Sequence, residues 1–415
     1  MKILVLNSGS SSQKTCLYEI GDTIAGNPPP CLWEGKIEWN GHVAAASVKN
    51  SRGAVLEARV NVSSRAQAVE HLLGTLWKGK AQAVASVSDI DVVGYRVVHG
   101  GPQYEEPVVI TSAVKSAISS VSAFAPLHNR AELEGMEIVE RLLGGVPQVA
   151  VFDTGFHRQM PLSAAVYPGP YEWYAGGIRR YGFHGINHQY CAMRAAQLLG
   201  RDLASLKLVT CHLGNGCSLA AIRACRSVDT TMGFTPLEGL MMGTRSGSVD
   251  PGILTYLMRQ GQLDGQEIDG VLNEKSGLLG ISGLSGDMRE ILAAIKRGHE
   301  RAKLAFDIYV HRLQAGIGAM AAVLGGIDAL VFTAGVGENS PELRAATCRT
   351  LEFLGLRLDG ERNARPSLDT DIAASDSSVR VLVIKAQEDW AIAGACWKLM
   401  RRRTAAPVGS GTGEH

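Results

Sequence analysis

Apolar residues in this chain come in short runs that end on small polar residues. Residues 3–6 (ILVL) and 16–20 (CLYEI) flank the polar stretch NSGSSSQK and predict two strands of a hairpin. Residues 21–30 (GDTIAGNPPP) read as a turn-rich surface excursion. An apolar face at helical spacing predicts a helix over 63–77 and another over 131–143. Residues 90–101 (IDVVGYRVVHGG) predict a strand running into a glycine turn, and 148–157 (QVAVFDTGFH) a buried strand ending in polar residues. Residues 206–230 repeat the grammar of 3–20: strand, glycine turn, strand, turn. Residues 300–324 predict one long helix. Residues 327–340 predict a strand, a glycine turn and then a helix N-terminus at SPELRAAT. Residues 380–403 read as strand, loop and helix, and the tail 404–415 (TAAPVGSGTGEH) is expected to lack order. Strand–glycine-turn units thus recur in both halves, which favours an α/β fold with duplicated architecture.

At 415 residues the chain is long for one core, so two domains are expected. Hydrophobic residues make up 46% and charged residues 20%, with mean hydropathy +0.04, the balance of a globular protein. Forty-one basic residues against 40 acidic ones leave a net charge of +1, so there is no overall field for nucleic acid or a membrane surface. Any anion site must be local. The apolar run in MKILVLN stops at Asn7, too soon for a secretory signal, and no run approaches the roughly 18 apolar residues of a membrane span. Eight scattered cysteines without C-x-x-C read as reduced cytosolic thiols.

Two motifs mislead. Residues 74–81 (GTLWKGKA) fit G-x-x-x-x-G-K, but Ala81 stands where a hydroxyl is needed and the segment follows a helix rather than a strand. His184 and His188 in HGINH sit at i and i+4, yet neither H-E-x-x-H nor a third nearby ligand accompanies them, so a zinc site is not expected. Three glycine turns are more informative: NSGSSSQK, HLGNGCS (212–218) and GVGENS (335–340), each after an apolar strand. One such turn is usually just a hairpin. Three in one chain point to backbone N–H groups gathered on phosphates. Arg96, His128, Asp153, His184 and Arg245 form a second set, beside glycines or apolar runs where a buried charge needs a partner or a ligand.

LNSGSSSQK, GYRVVHGGP, APLHN, FDTGFH, RYGFHG, HLGNGCSLAAI, SVDTTMGFTPLEGLMMGTRSG and FTAGVGENS, together and in this order, resemble the acetate kinase family over residues 3 to about 395. The resemblance implies a two-domain, duplicated βββαβαβα fold of the ribonuclease H-like, actin/Hsp70/sugar kinase type, with an interdomain cleft. It places the N-terminal domain at 1–153 plus 390–403, the C-terminal nucleotide-binding domain at 154–389 and a flexible tail at 404–415. It implies reversible phosphoryl transfer from ATP to acetate, giving acetyl phosphate and ADP, with Mg2+ (Mn2+ as a substitute), in a cytoplasmic homodimer that binds neither nucleic acid nor membrane. By the same resemblance Asn7 and Glu388 go with the metal, and Arg96 and Arg245 hold acetate and the transferring phosphoryl group. Asp153 is the essential acid near the metal, while His184, with Arg245, stabilises the transition state. Val98, Leu127, Phe183 and Pro236 correspond to the methyl pocket. Lys14, His212, Leu213, Gly214, Asn215, Gly216, Asp287, Met288, Arg289, Gly335, Val336, Gly337, Glu338 and Asn339 correspond to the nucleotide side.

The sequence departs from the family pattern at three places. Tyr95 replaces a usual His, Ala224–Cys225 replace Asn-Gly in a turn, and Ser248 replaces an acid three residues past Arg245. The missing glycine suggests a different turn, and Ser248 removes a charge near the arginine. The alternative activities are a propionate or other short-chain acyl kinase, which shares the catalytic residues, and a non-catalytic nucleotide-dependent clamp of the same fold, which needs no paired arginines.

Overall fold

A computed structural model describes residues 1–8, 12–40, 43–122, 126–367 and 369–405, with only the backbone at 40, 126–128, 130 and 405. The tip of the first polar turn (9–11) and the tail from 406 onward lie outside the described residues. Contacts divide the chain into two compact units, Met1–Gly155 with the chain from Gln387 onward, and Phe156–Ala386. This partition places Glu388 and Asp389 with the first unit, where the sequence-based boundary put them in the second.

In the first unit the strands are β1 (Lys2–Ser8), β2 (Ser12–Glu19), β3 (Trp33–Asn40), β4 (Val43–Asn50), β5 (Val55–Asn61), β6 (Val92–Val97), β7 (Val108–Val109) and β8 (Gln148–Phe152). They form one sheet in the order β5-β4-β3-β2-β1-β6-β8-β7. β1 pairs antiparallel with β2 in the expected hairpin, from Lys2 opposite Glu19 to Ser8 opposite Gln13, and parallel with β6. In the second unit β9 (Lys207–Leu213), β10 (Cys217–Arg223), β11 (Arg226–Thr230), β12 (Ala329–Thr333), β13 (Thr370–Asp371) and β14 (Arg380–Val383) form a sheet ordered β11-β10-β9-β12-β14-β13. Each sheet holds the same core: an antiparallel meander whose first strand pairs parallel with the next strand inward. β1, β8, β9 and β12 each end at or beside a segment that carries candidate residues.

One helix packs on each core away from the strand before it, and the one on the first sheet comes from beyond the second unit. Helix Gly185–Leu199 follows β8 in sequence but packs on β9 and β12. Helix Glu388–Ala405 follows β14 but packs on β1, β2, β6 and β8. That second contact is close because Gly94 sits under it. A Cβ there would lie 2.6 Å from Cys396 Sγ and 2.9 Å from Ile392, so only glycine admits the helix.

The long helix Glu300–Leu324 has the bounds the sequence predicts. Residues 334–339 do not: the expected glycine turn is a short helix, Ala334–Asn339, that starts directly on β12. Strands β3, β4 and β5 had no counterpart in the sequence reading. Their inward positions alternate correctly, but many are Ala or Gly and give little hydrophobic contrast. Gly35 in β3 lies against the ring of buried Trp33 and against Leu72.

The β10–β11 turn corrects another expectation. Arg223 pairs with Arg226 across a two-residue loop, and both loop residues, Ala224 (φ 50) and Cys225 (φ 63), have positive φ. This is the type I′ geometry that Asn-Gly favours, kept without glycine. A side chain in the left-handed region costs about 1–2 kcal/mol per residue. The double variant Ala224→Asn/Cys225→Gly is therefore expected to raise stability by about 1–2 kcal/mol. A differential scanning melt should show it as a midpoint a few degrees higher.

All eight cysteines are unbridged thiols; Cys225 is exposed, Cys31 half-buried and the others buried. Among the described residues no helix is long and apolar enough to cross a membrane. The G-x-x-x-x-G-K match starts at Gly74, the last residue of helix Arg65–Gly74, so it follows a helix as the sequence predicts.

Candidate functional site

In the first unit the chemistry gathers on β1, β6, the end of β8 and the start of helix Glu388–Ala405. Arg96 on β6 donates from Nη2 to Asp153 Oδ2 at 2.5 Å, one residue past β8. Its Nε lies 3.9 Å from Glu388 Oε2, which accepts from Asn7 Nδ2 at 3.3 Å. Asp153 is fully buried, and Arg96 and Glu388 expose only 16% and 17% of their side chains. Burial alone would lower the guanidinium of Arg96, but Asp153 and Glu388 together hold it above its ordinary value. Burial raises the Glu388 carboxyl, against the pull of Arg96. Lys14 also belongs to this unit, where it pairs with Asp389 at 2.6 Å.

These residues suit a hard cation. Asp153 Oδ1 is buried with no hydrogen-bond partner, and Asn7 and Glu388 add further oxygens. No group of three or more His, Cys, Asp or Glu side chains gathers among the described residues. Mg2+ needs no such cage, since one or two carboxylates with water and substrate phosphates suffice.

Glu132 is a further member that the sequence reading missed. It is buried, and both its carboxylate oxygens accept from the Val98 backbone N–H at 3.2 Å. The signal was present: Glu132 shares a helical stripe with Met136, Val139 and Leu143, all buried. Burial pushes its carboxyl up to about 8, although Arg96 pulls the other way. A carboxyl raised in the folded state stabilises below its unfolded value, and that contribution is lost as pH rises through the folded one. Wild-type stability is thus expected to decline between about pH 5 and 8, by at most about 1.4 kcal/mol per pH unit from this group. In Glu132→Gln that part of the slope should vanish, as urea midpoints at several pH values would show.

In the second unit four histidines pack together. His184 caps helix Gly185–Leu199 in the left-handed region (φ 57, ψ 21), a strained conformation for a residue with a side chain. Its ring stacks on His212 with centroids 3.9 Å apart, and its Nδ1 lies 2.8 Å from Ser218 Oγ. His212 Nδ1 accepts from Asn187 Nδ2 at 2.8 Å, which puts the His212 proton on Nε2. His188 is fully buried and binds Thr210 and Ser218 through its two ring nitrogens, so it is not a metal ligand. His157 bridges Ser227 and the Phe183 carbonyl, and burial lowers it to about 4.

Arg245 is half-buried and has no carboxylate partner among the described residues; its Nη1 donates to the Pro236 carbonyl at 3.3 Å. Burial lowers its guanidinium. A Cβ placed on Gly216 would stand 3.5 Å from Arg245 Nη1 and 3.6 Å from His184 Nε2, so both groups flank one small space over the β9–β10 turn. Asn215 packs on Gly243 and accepts from its N–H, which ties the turn to the segment before Arg245. Leu213 is buried at the end of β9, and Gly214 approaches Ala334.

Asp287 caps helix Met288–Lys296 and holds the exposed Arg289 at 2.5 Å, while Met288 is buried. Gly335, Val336, Gly337, Glu338 and Asn339 lie on helix Ala334–Asn339, whose Gly337 and Glu338 carbonyls accept from buried Arg344 at 2.8 and 2.9 Å. Of the expected methyl-pocket residues, Val98 and Phe183 are buried, Pro236 lies beside Arg245, and the Leu127 side chain is outside the described residues, as is that of His128.

The family model of the acetokinase family matches residues 2–394. The chain belongs to the acetokinase family. Acetate kinase from a Cyanothece species is 59% identical over 403 residues, 97% of this chain and 99% of the relative. Acetate kinase from a Nostoc species is 58% identical over 405 residues, 97% of this chain and 100% of the relative. Among solved structures, Porphyromonas gingivalis acetate kinase superposes with a TM-score of 0.87 at 41% identity, covering 96% of this chain and 99% of that one. A propionate kinase from Francisella tularensis gives 0.86 at 36% identity, covering 95% and 98%. The fold is accordingly of the actin/Hsp70/sugar kinase type.

Two departures from the acetokinase pattern can now be placed. Tyr95 is buried on β6 and donates to Gln148 Oε1 at 2.7 Å, a bond across the sheet to β8. Ser248 exchanges hydrogen bonds with the Gly239 backbone, its hydroxyl accepting at 3.0 Å. That residue fixes a loop turn, which an acid in its place would do equally by accepting the same bond.

Proposed function

We propose that this protein is a phosphotransferase that moves the γ-phosphoryl group of ATP directly and in line to acetate, giving acetyl phosphate and ADP reversibly. The observation that carries this reading is Arg245: a half-buried guanidinium without a carboxylate partner among the described residues, beside His184 Nε2 and over the Gly216 turn. A charge left in that state is best explained by an anionic ligand.

Acetate is already ionised at neutral pH, since carboxyl groups titrate near 4. Its oxygen needs no base, so Asp153 serves to hold Arg96 rather than to take a proton. The difficulty is bringing one anion against a polyanion. Arg96 and Arg245 offset that repulsion, and their planar forks fit carboxylate and phosphate oxygens in pairs. His184 donates to the phosphoryl oxygens, where charge spreads in a loose transition state. The Gly214–Gly216 turn and the Asp287–Arg289 and Gly335–Asn339 segments take the nucleotide. Asn7, Glu388 and Asp153 would hold Mg2+, which neutralises phosphate charge when bound. By the family resemblance Val98, Leu127, Phe183 and Pro236 correspond to the methyl pocket. The family resemblance also supports a cytoplasmic homodimer, which sedimentation of the purified chain and its localisation in cells would test.

The propionate kinase among the structural relatives keeps a longer acyl acceptor in view. A hydroxamate-trap assay with acetate, propionate and butyrate side by side decides. Acetate is expected to give the highest kcat/KM, with each added methylene changing it by about 1–3 kcal/mol. A higher kcat/KM for propionate would move the assignment to the longer acid, and no turnover on any of the three would overturn it.

A further inference from the structure

We propose that Thr210, His188 and Ser218 are positioning residues that form a directed hydrogen-bond chain and fix the proton of His184 on Nε2. The chain runs from Thr210 Oγ1 to His188 Nδ1 at 2.7 Å, from His188 Nε2 to Ser218 Oγ at 2.8 Å, and from Ser218 Oγ to His184 Nδ1 at 2.8 Å. Thr210, His188 and Ser218 are each fully buried.

Two directions are geometrically allowed, and counting hydrogens separates them. Burial holds His188 neutral, so one of its ring nitrogens carries a hydrogen and the other a lone pair. The Thr210 hydroxyl has a single hydrogen, and His188 is its partner among the described residues. If His188 donated from Nδ1, the Thr210 hydrogen would be left buried without an acceptor, a cost of about 1–3 kcal/mol. Thr210 therefore donates to His188 Nδ1. His188 then donates from Nε2 to Ser218, and Ser218 spends its one hydrogen on His184 Nδ1. A His184 whose Nδ1 accepts must carry its hydrogen on Nε2.

That nitrogen is the one that faces Arg245 Nη1 across the space over Gly216. Two N–H groups then point at one place, which suits a phosphoryl oxygen. The opposite direction would turn a lone pair toward the same oxygen and repel it. Ring orientation is fixed separately by the stack on His212 and by the left-handed backbone at His184. The use of the chain rests on the phosphoryl-transfer reading; its direction does not.

The test is nitrogen NMR of the full chain with labelled histidine. The two directions predict opposite results: His184 and His188 both in the Nε2–H form, or both in the Nδ1–H form. The first is expected, and Nδ1–H in either ring overturns the proposal. Ser218→Ala should lower kcat on the order of 10²-fold, as misplacement of a reacting group does. KM for ATP and acetate should change little, and Ser218→Thr should recover most of the loss. Unchanged kcat in Ser218→Ala also overturns it. Should Ser218→Ala not fold, Thr210→Val carries the same expectation, with Thr210→Ser as its rescue. Wild-type protein that shows both rings as Nε2–H yet forms no acyl phosphate would instead sink the functional reading and leave the proton order standing.

Discussion

Arg245→Ala protein is expected to fold normally and to lose on the order of 10³-fold or more in acetyl phosphate formation. The two halves of this expectation have one cause. The guanidinium is half-buried, burial lowers it, and among the described residues no carboxylate answers it. A desolvated charge of this kind costs folding free energy and is repaired only when an anion arrives. Removing it should leave the thermal midpoint unchanged or higher while the rate collapses. Arg245→Lys should recover only part of the rate, because an ammonium cannot make the paired contacts of a planar fork. Steady-state kinetics with thermal melts on the same preparations test both halves. A rate within tenfold of wild type would refute the assignment, and a large fall in midpoint would mean that Arg245 is structural.

The second large effect is expected at Asp153, with the opposite balance. Asp153→Ala strands Arg96 in a buried position, with Glu388 at 3.9 Å as the remaining ion-pair partner among the described residues. Breaking a buried pair from one side costs about 3–5 kcal/mol, and the remaining glutamate places the expectation at the lower end. Asp153→Ala/Arg96→Ala should be inactive as well, yet more stable than Asp153→Ala alone. Urea titrations of wild type, both single variants and the double variant give the coupling energy, expected on the order of 1–3 kcal/mol. Strict additivity would show that the 2.5 Å contact does not organise this part of the unit.

How much of this could be read from the residues depended on contrast. The hairpin around the first polar turn, the repeat of its grammar at 206–230 and the helix at 300–324 all have strong apolar runs with clean breaks, and each is found. Strands β3 to β5 were passed over because Ala44, Ala46 and Gly35 fill inward positions with little hydrophobic signal. The GVGENS segment misled because glycines at Gly335 and Gly337 suggested a turn, whereas carbonyls held by Arg344, six and seven residues on, stabilise a short helix. The arginine stands in the next helix start, but its residue type alone does not say which carbonyls it will hold. At the candidate site the charged residues beside glycines were legible one by one. Their pairing was not, since Asn7 and Glu388 stand 381 positions apart. Glu132 could have been found from a carboxylate on an apolar stripe. Ser218 and Thr210 could not, because a hydroxyl on a buried strand looks the same whether or not it orders a proton.

The return of the last helix to the first sheet has a consequence for how the protein is made. The ribosome delivers β1 to β8 early, but the helix that covers the Gly94 face and brings Glu388 is synthesised only after all of Phe156–Ala386. At about 5–20 residues per second that interval is roughly ten to fifty seconds. Throughout it, one face of the first sheet waits uncovered and Arg96 lacks one of the acids around it. A nascent chain in this state is a natural client for chaperones, and one released before Glu388 cannot complete its first unit however well its second has folded.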